Sequence, residues 1–367
     1  MNKNRPKILF YVPLPPPVHG AALRNKSLVE SKVLNSAFEI IVIPFNFADS
    51  VHDIGRLSIW KLTKMIGRLY TVIHTMLRFG PQLVYFNFST YGYALYRDFL
   101  FALIFKSFRT NVVFHLRTQG VKSQSTSSNF KRGLFKTAFK NATVICLSDY
   151  LAKDVEDVYR PHPVVVNNGI EDVFPNYTLS LGRSIPVVLF LSNLSRTKGI
   201  LDLIGALEIL KSESIPFEAL IVGGEGDLLM KDINAELEIK SLTSCVRLLG
   251  PLFGEEKFKL YCSTDIFVFP TCFEAFPGVV LEAMQFCLPV VSTFEGAIPE
   301  IVEDGVTGLL VQKQNVNDLA EKLKILLNDE ALRKALGNNG RSKFVEKYRL
   351  HDFENKMVKA FNDILEN

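Results

Sequence analysis

The chain has 367 residues, 48% of them hydrophobic and 22% charged, a length that predicts two domains and a balance that fits a soluble globular protein. The net charge of +4 hides a division: residues 1–148 hold 20 Lys and Arg against 5 Asp and Glu, and residues 149–367 hold 22 against 33. Something anionic is therefore expected to face the first half, but not as a membrane span. The apolar run Phe99 to Phe105, closed by Asp98 and Lys106, is far shorter than the roughly 20 residues that cross a bilayer.

From the start, Met1 to Pro6 leads into a strand with no cleavage region, so no secretory signal is expected. Ile8 to Val12 is that strand, and a stiff loop with Pro13, Pro15, Pro16, Pro17, Val18, His19 and Gly20 follows it. A helix is predicted over 21–34, then a strand over Glu39 to Pro44. Residues 59–79 read as an amphipathic helix. Lys61, Lys64, Arg68, Thr71, Thr75 and Arg78 mark its polar side, with Trp60, Ile66, Leu69, Ile73, Met76 and Leu77 largely opposite. Strands at Leu83–Phe88 and Val112–Leu116 precede a basic helix over Phe130 to Lys140. No acidic residue occurs from Phe99 through Ser148, and such a surface suits anionic lipid or a solvated helix face equally. Nucleic acid would satisfy the charge too, but no recognised binding motif is present.

Val144–Ser148 and Val164–Val166 complete a first parallel α/β half, and the composition of 171–185 is that of a linker. The second half restarts with a strand at Val187–Leu191, the loop Ser192 to Gly199 and a helix over 200–210. Further strands are predicted at Phe217–Val222, Val246–Gly250, Ile266–Phe269 and Pro289–Ser292. Gly296–Glu300 and Gly305–Leu310 complete that set. From Val316 onward the pattern is helical, with breaks near Asp329 and at Gly337-Asn338-Asn339-Gly340. Five cysteines without Cys-x-x-Cys or ligand-like spacing to histidine read as reduced, buried thiols of a cytoplasmic protein. No Gly-x-Gly-x-x-Gly is present, which argues against a dinucleotide enzyme.

The most informative stretch is Phe273-Glu274-Ala275-Phe276-Pro277-Gly278-Val279-Val280-Leu281-Glu282. It places one carboxylate in the loop after a buried strand and a second about a turn inside the next helix. Ligands of open α/β sheets bind at that edge, and helix-opening amides suit phosphate. The pattern resembles the signature of family 4 retaining glycosyltransferases of the GT-B fold. The resemblance implies two Rossmann-like α/β domains facing across a cleft, with C-terminal helices. Boundaries are expected at 1–175 for the acceptor domain, 176–345 for the nucleotide-sugar domain and 346–367 for a helix returning to the first domain.

By the same resemblance, Glu274 would meet hydroxyls of a donor sugar and Glu282 those of the nucleotide's ribose. Lys198, with Gly199 in the family's Lys-Gly position, would answer the departing diphosphate. The family's arginine position holds Asn193, and Arg196 is the nearby cation. Phe276 and the amides of Gly278, Val279 and Val280 would line the donor, whereas Pro277 has no N–H to offer. Gly20, with Asn25, resembles the family's first glycine loop. Gly224 and Glu225 would line the cleft, and Arg247 to Gly250, Leu249 among them, would hold the base. His115 would face the donor sugar from the first domain, with Arg117 a weaker contact and His19 an acceptor-side candidate. His52, His74, His162 and His351 are left as surface or packing residues.

The implied reaction is metal-independent transfer of a hexose-type sugar, with retention, from a nucleoside-diphosphate sugar, UDP favoured and GDP allowed. The acceptor would be a glycan or lipid-linked glycan of the cell envelope, used in the cytoplasm or at the inner membrane face. No cofactor or metal is expected, since no Asp-x-Asp occurs. The alternatives are an inactive nucleotide-binding scaffold of the same fold, or an epimerase or phosphorylase.

Overall fold

The computed structural model describes residues 5–16, 20–45, 59–179 and 184–366, with side chains from 64 onward in the third stretch. His19, His52, the side chains of Trp60 and Lys61, and Gly182 of the expected linker lie outside the described residues. The chain divides into two compact units, Met1–Asn168 with His351–Asn367, and Gly169–Leu350.

The first unit is built on a parallel sheet in the order β2-β1-β3-β4-β5-β6. Its strands are β1 (Lys7–Val12), β2 (Glu39–Pro44), β3 (Leu83–Asn87), β4 (Asn111–His115), β5 (Thr143–Cys146) and β6 (Val164–Val165). The central ones are continuous apolar runs because helices cover both faces, so side chains pointing either way leave water. The helices are α1 (Gly20–Glu30), α2 (Lys32–Ala37), α3 (Ile59–Phe79), α4 (Gly92–Ser107), α5 (Val121–Ser127), α6 (Asn129–Phe139) and α7 (Asp149–Ala152). The step from β1 to β2 runs one way across the sheet, and the later steps run the other. Right-handed crossovers therefore put α1 and α2 on one face and α3, α4 and α6 side by side on the other.

The second unit has the order β12-β11-β10-β7-β8-β9, also parallel. Its strands are β7 (Val187–Leu191), β8 (Glu218–Val222), β9 (Val246–Gly250), β10 (Ile266–Phe269), β11 (Val290–Thr293) and β12 (Gly308–Val311). Its helices are α8 (Ile200–Ser212), α9 (Met230–Ile239), α10 (Gly254–Cys262), α11 (Gly278–Gln285), α12 (Ile298–Ile301), α13 (Val316–Asn328) and α14 (Glu330–Lys347). Strand order reverses between β7 and β10, and the carboxyl edge at such a reversal is where open α/β sheets bind ligands. A last helix, α15 (Leu350–Glu366), returns to the first unit and sets Phe361 against Phe10, Phe38 and Tyr85.

Several sequence expectations need correction. The helix expected over 21–34 is two helices, because the Ser31 hydroxyl accepts from Leu34 N and starts α2 afresh. Gly296–Glu300 is not a strand: it is a loop running into α12, with Pro299 in the helix's first turn. The glycines at 337 and 340 do not break α14. A Cβ on Gly337 would stand 1.9 Å from the Cys287 carbonyl oxygen, so glycine is there to let the helix approach that loop. In α3 the buried side is Val72, Thr75 and Met76, whereas Ile66, Ile73 and Leu77, expected inside, are exposed. The division between units falls after Asn168 because the segment that follows is tied to the second unit. Asp172 takes both guanidinium nitrogens of Arg341 at 2.7 and 2.8 Å, Val173 N donates to Gln285 Oε1, and Phe174 packs edge-on to Phe286.

Candidate functional site

In the second unit the loop leaving β7 is anchored rather than free. Ser195 Oγ accepts from Thr197 N and starts a single 3-10 turn, Arg196–Lys198. Thr197 O accepts from Cys272 N at 2.8 Å and Thr271 Oγ1 at 3.0 Å, which pins this turn to the loop leaving β10. Lys198 Nζ is thereby held 2.8 Å from Glu274 Oε2 and 3.3 Å from Phe273 O, while Glu274 Oε1 accepts from Ala275 N. Both side chains keep about a quarter of their surface in water.

Glu282, one turn into α11, is fixed by two residues that sequence reading did not connect to it. Lys257 Nζ stands 2.8 Å from Oε1, and Tyr261 Oη donates to Oε2 at 3.1 Å. Burial pushes the Tyr261 hydroxyl well above its ordinary range, with Glu282 adding to the rise, so it remains a donor. Its ring stacks on Phe286 with centroids 5.4 Å apart, which orients the carboxylate from below. Each Glu282 oxygen accepts one bond here and has capacity for another. Among the described residues no side chain caps the start of α11 at Pro277, so the opening amides at Gly278, Val279 and Val280 have no side-chain partner there.

The other expected donor residues are placed less uniformly. Asn193 and Arg196 are exposed on the loop after β7, where the Arg196 charge acts on Asp227. Arg196 N donates to Asp227, whose carboxyl is held below its usual range chiefly by a hydrogen bond from Ser195. Gly224 O accepts from Leu194 N at 2.8 Å, joining the loops after β7 and β8. Glu225 accepts from Met230 N at the start of α9, a local structural bond. Leu249 is exposed near the end of β9. Phe276 points inward, its ring edge-on to Tyr348 at 6.1 Å, so only its backbone faces the loop.

His115 and Gly20 belong to the first unit. Gly20 opens α1 and is exposed, with Asn25 Nδ2 donating back to Pro13 O at 2.9 Å. His115 ends β4 and is fully buried. Its Nδ1 lies 2.6 Å from Tyr85 Oη, which also accepts from Arg117 Nη2 at 3.2 Å, and Arg117 Nη1 donates to Asn168 Oδ1 at 2.7 Å. Burial raises the Tyr85 pKa, and burial with the neighbouring guanidinium lowers that of His115 well below its ordinary value. A phenol that keeps its proton donates it to Nδ1, which assigns the proton of the neutral imidazole to Nε2. That Nε2 has no partner among the described residues, and neither has Oδ1 or Nδ2 of buried Asn87, the register partner of His115 on β3. Sequence reading passed over Asn87. Its one signal was a polar residue ending an apolar strand at the carboxyl edge of a parallel sheet.

Residues 182–343 match the glycosyl transferases group 1 family. That match lies within the second unit. It contains Lys198, Glu274, Lys257, Tyr261 and Glu282, and thus the second unit's entire candidate site. Across a wider stretch the chain is similar to an uncharacterized glycosyltransferase of Methanocaldococcus jannaschii, at 33% identity over 217 residues, 57% of each chain. It is similar to the capsular polysaccharide biosynthesis glycosyltransferase CapM of Staphylococcus aureus, at 29% identity over 180 residues, 49% of this chain and 46% of that one. The chain spans about half the length of these curated relatives. Among solved structures it resembles HepE of Anabaena, in complex with UDP and glucose, with a TM-score of 0.73 and 19% identity over 98% of this chain and 100% of that one. With their parallel α/β sheets, the two units have a fold of GT-B type.

Proposed function

We propose that the protein is a retaining glycosyltransferase that moves a hexose-type sugar from a nucleoside-diphosphate sugar to a cell-envelope glycan or lipid-linked acceptor. The observation that carries this reading is the Lys198–Glu274 pair at the strand-order reversal, with Glu282 fixed one turn into the next helix. In this reading the α11 amides and Lys198 take the diphosphate, and Glu282 takes the ribose. Glu274, released from Lys198 as the phosphate arrives, accepts from a hydroxyl of the sugar. As the anomeric bond breaks, charge grows on the leaving phosphate oxygen, and the ammonium binds it more tightly than before. That oxygen stays on the acceptor's side and takes the acceptor's proton, which gives retention without a glycosidase-type nucleophile. No metal is needed if the cation and amides supply the countercharge.

UDP is favoured because HepE is described in complex with UDP and glucose, and CapM's name supports an acceptor in polysaccharide synthesis. The test is calorimetric titration of UDP, GDP and ADP into wild type and Glu282→Ala, followed by transfer assays with and without excess chelator. One nucleotide is expected to bind, with affinity at least about tenfold weaker in the variant, as for a lost charge-assisted hydrogen bond. Transfer is expected to survive chelation. Folded protein that binds none of the three would favour an inactive scaffold, and activity restored only by a divalent ion would overturn metal independence.

A further inference from the structure

The outer side of the helix layer α3–α4–α6 is apolar where a solvated layer would be polar. Along α3, Ile66, Tyr70, Ile73 and Leu77 recur at helical spacing with their side chains in water, Tyr70 and Leu77 each 73% exposed. Along α4, Tyr93, Tyr96, Leu100 and Leu103 form a second exposed row, and Phe130 of α6, 67% exposed, stacks on Tyr96 at 6.5 Å. The three helices lie side by side on one face of the sheet, so these rows make one patch rather than scattered exposures. The charge exposed on these helices is positive, with Glu156 and Asp157 nearby in a hollow they share with Lys136 and Lys140. From Ile59 to Ser148 the one carboxylate is Asp98, which is fully buried and accepts from Ser89 N and Arg97 Nε. Arg78 of α3 and Lys136 of α6 are exposed, as is Lys140 immediately after α6.

We infer that this face is a docking surface for an anionic lipid bilayer, on which the first unit rests with α3 and α4 lying in the interface. Aliphatic rows flanked by tyrosines and cations match the two layers such a surface presents, acyl chains below and anionic headgroups above. A second copy of the chain fits poorly, because a twofold pairing of this face would set cation-bearing helices against each other, and their one carboxylate, Asp98, is buried. A polynucleotide would leave Ile66, Leu77, Leu100 and Leu103 without an apolar partner. The inference stands apart from the transfer reaction, since binding to lipid is measured without a donor.

The experiment is flotation of the full chain with vesicles of phosphatidylcholine alone or mixed with phosphatidylglycerol. It compares wild type with Tyr70→Ser/Leu77→Ser, Leu100→Ser/Leu103→Ser and Lys136→Gln/Lys140→Gln. All six positions are exposed, so each variant should melt close to wild type. Wild type is expected to float only with the anionic vesicles. Each serine pair should weaken partitioning about tenfold, and each neutralised lysine about fivefold. Partitioning unchanged in all three variants would overturn the inference. So would a concentration-dependent dimer in sedimentation that Tyr70→Ser/Leu77→Ser abolishes, since the face would then be a self-interface.

Discussion

Asn87 and His115 sit side by side at the carboxyl edge of the first sheet, and between them three buried polar atoms have no partner among the described residues. Leaving such a group unsatisfied costs about 1–3 kcal/mol, a cost that a ligand hydroxyl would offset under the proposed function. The amide of Asn87 carries both a donor and an acceptor, which is what one sugar hydroxyl needs. Asn87→Leu is therefore expected to leave stability unchanged or raise it by about 1 kcal/mol, while kcat/KM for transfer falls at least about tenfold. A urea melt paired with initial rates checks this. Lower stability with unchanged activity would mean that Asn87 serves packing alone. His115 was visible in the sequence as a strand-end histidine, but its tautomer follows from Tyr85 and Arg117, distant in the chain and brought to it by parallel strand pairing.

Among the elements, the short turn after β7 controls where Lys198 stands. Gly199 has φ +77, and a Cβ there would meet Pro270 O at 2.0 Å. The turn can press against the loop leaving β10 only if residue 199 is glycine. Gly199→Ala should cost at least about 1–3 kcal/mol and shift Lys198 from Glu274, so melting temperature and kcat are both expected to fall. Full activity in the variant would show that the Lys198 position is not set by this contact. The Lys198-Gly199 dipeptide was legible from the loop motif, but its reach to Glu274 was not, because 76 positions separate the two. The face that α3 buries was misjudged for a related reason. Periodicity identifies an apolar side, but the crossover geometry decides which side meets the sheet.

Across the whole chain, the first unit is assembled from two distant segments. Phe361 of α15 fills the space among Phe10, Phe38 and Tyr85, with no surface in contact with water. Phe361→Ala should destabilise that unit by about 3–5 kcal/mol. In scanning calorimetry the component belonging to the first unit is expected to drop while that of residues 169–350 stays in place. A single transition shifting as a whole would mean that the two units unfold as one. The strands of both sheets, the break at Asp329 and the Glu274/Glu282 pair could be read from linear order, because each depends on local periodicity and on residues a few positions apart. Pairing of Glu282 with Lys257 and Tyr261, the buried polar cluster on the first sheet and the bare outer face of α3 and α4 depended on the tertiary structure. These arise from contacts whose partners are chosen by strand order and crossover hand, and no local pattern in the sequence encodes that choice.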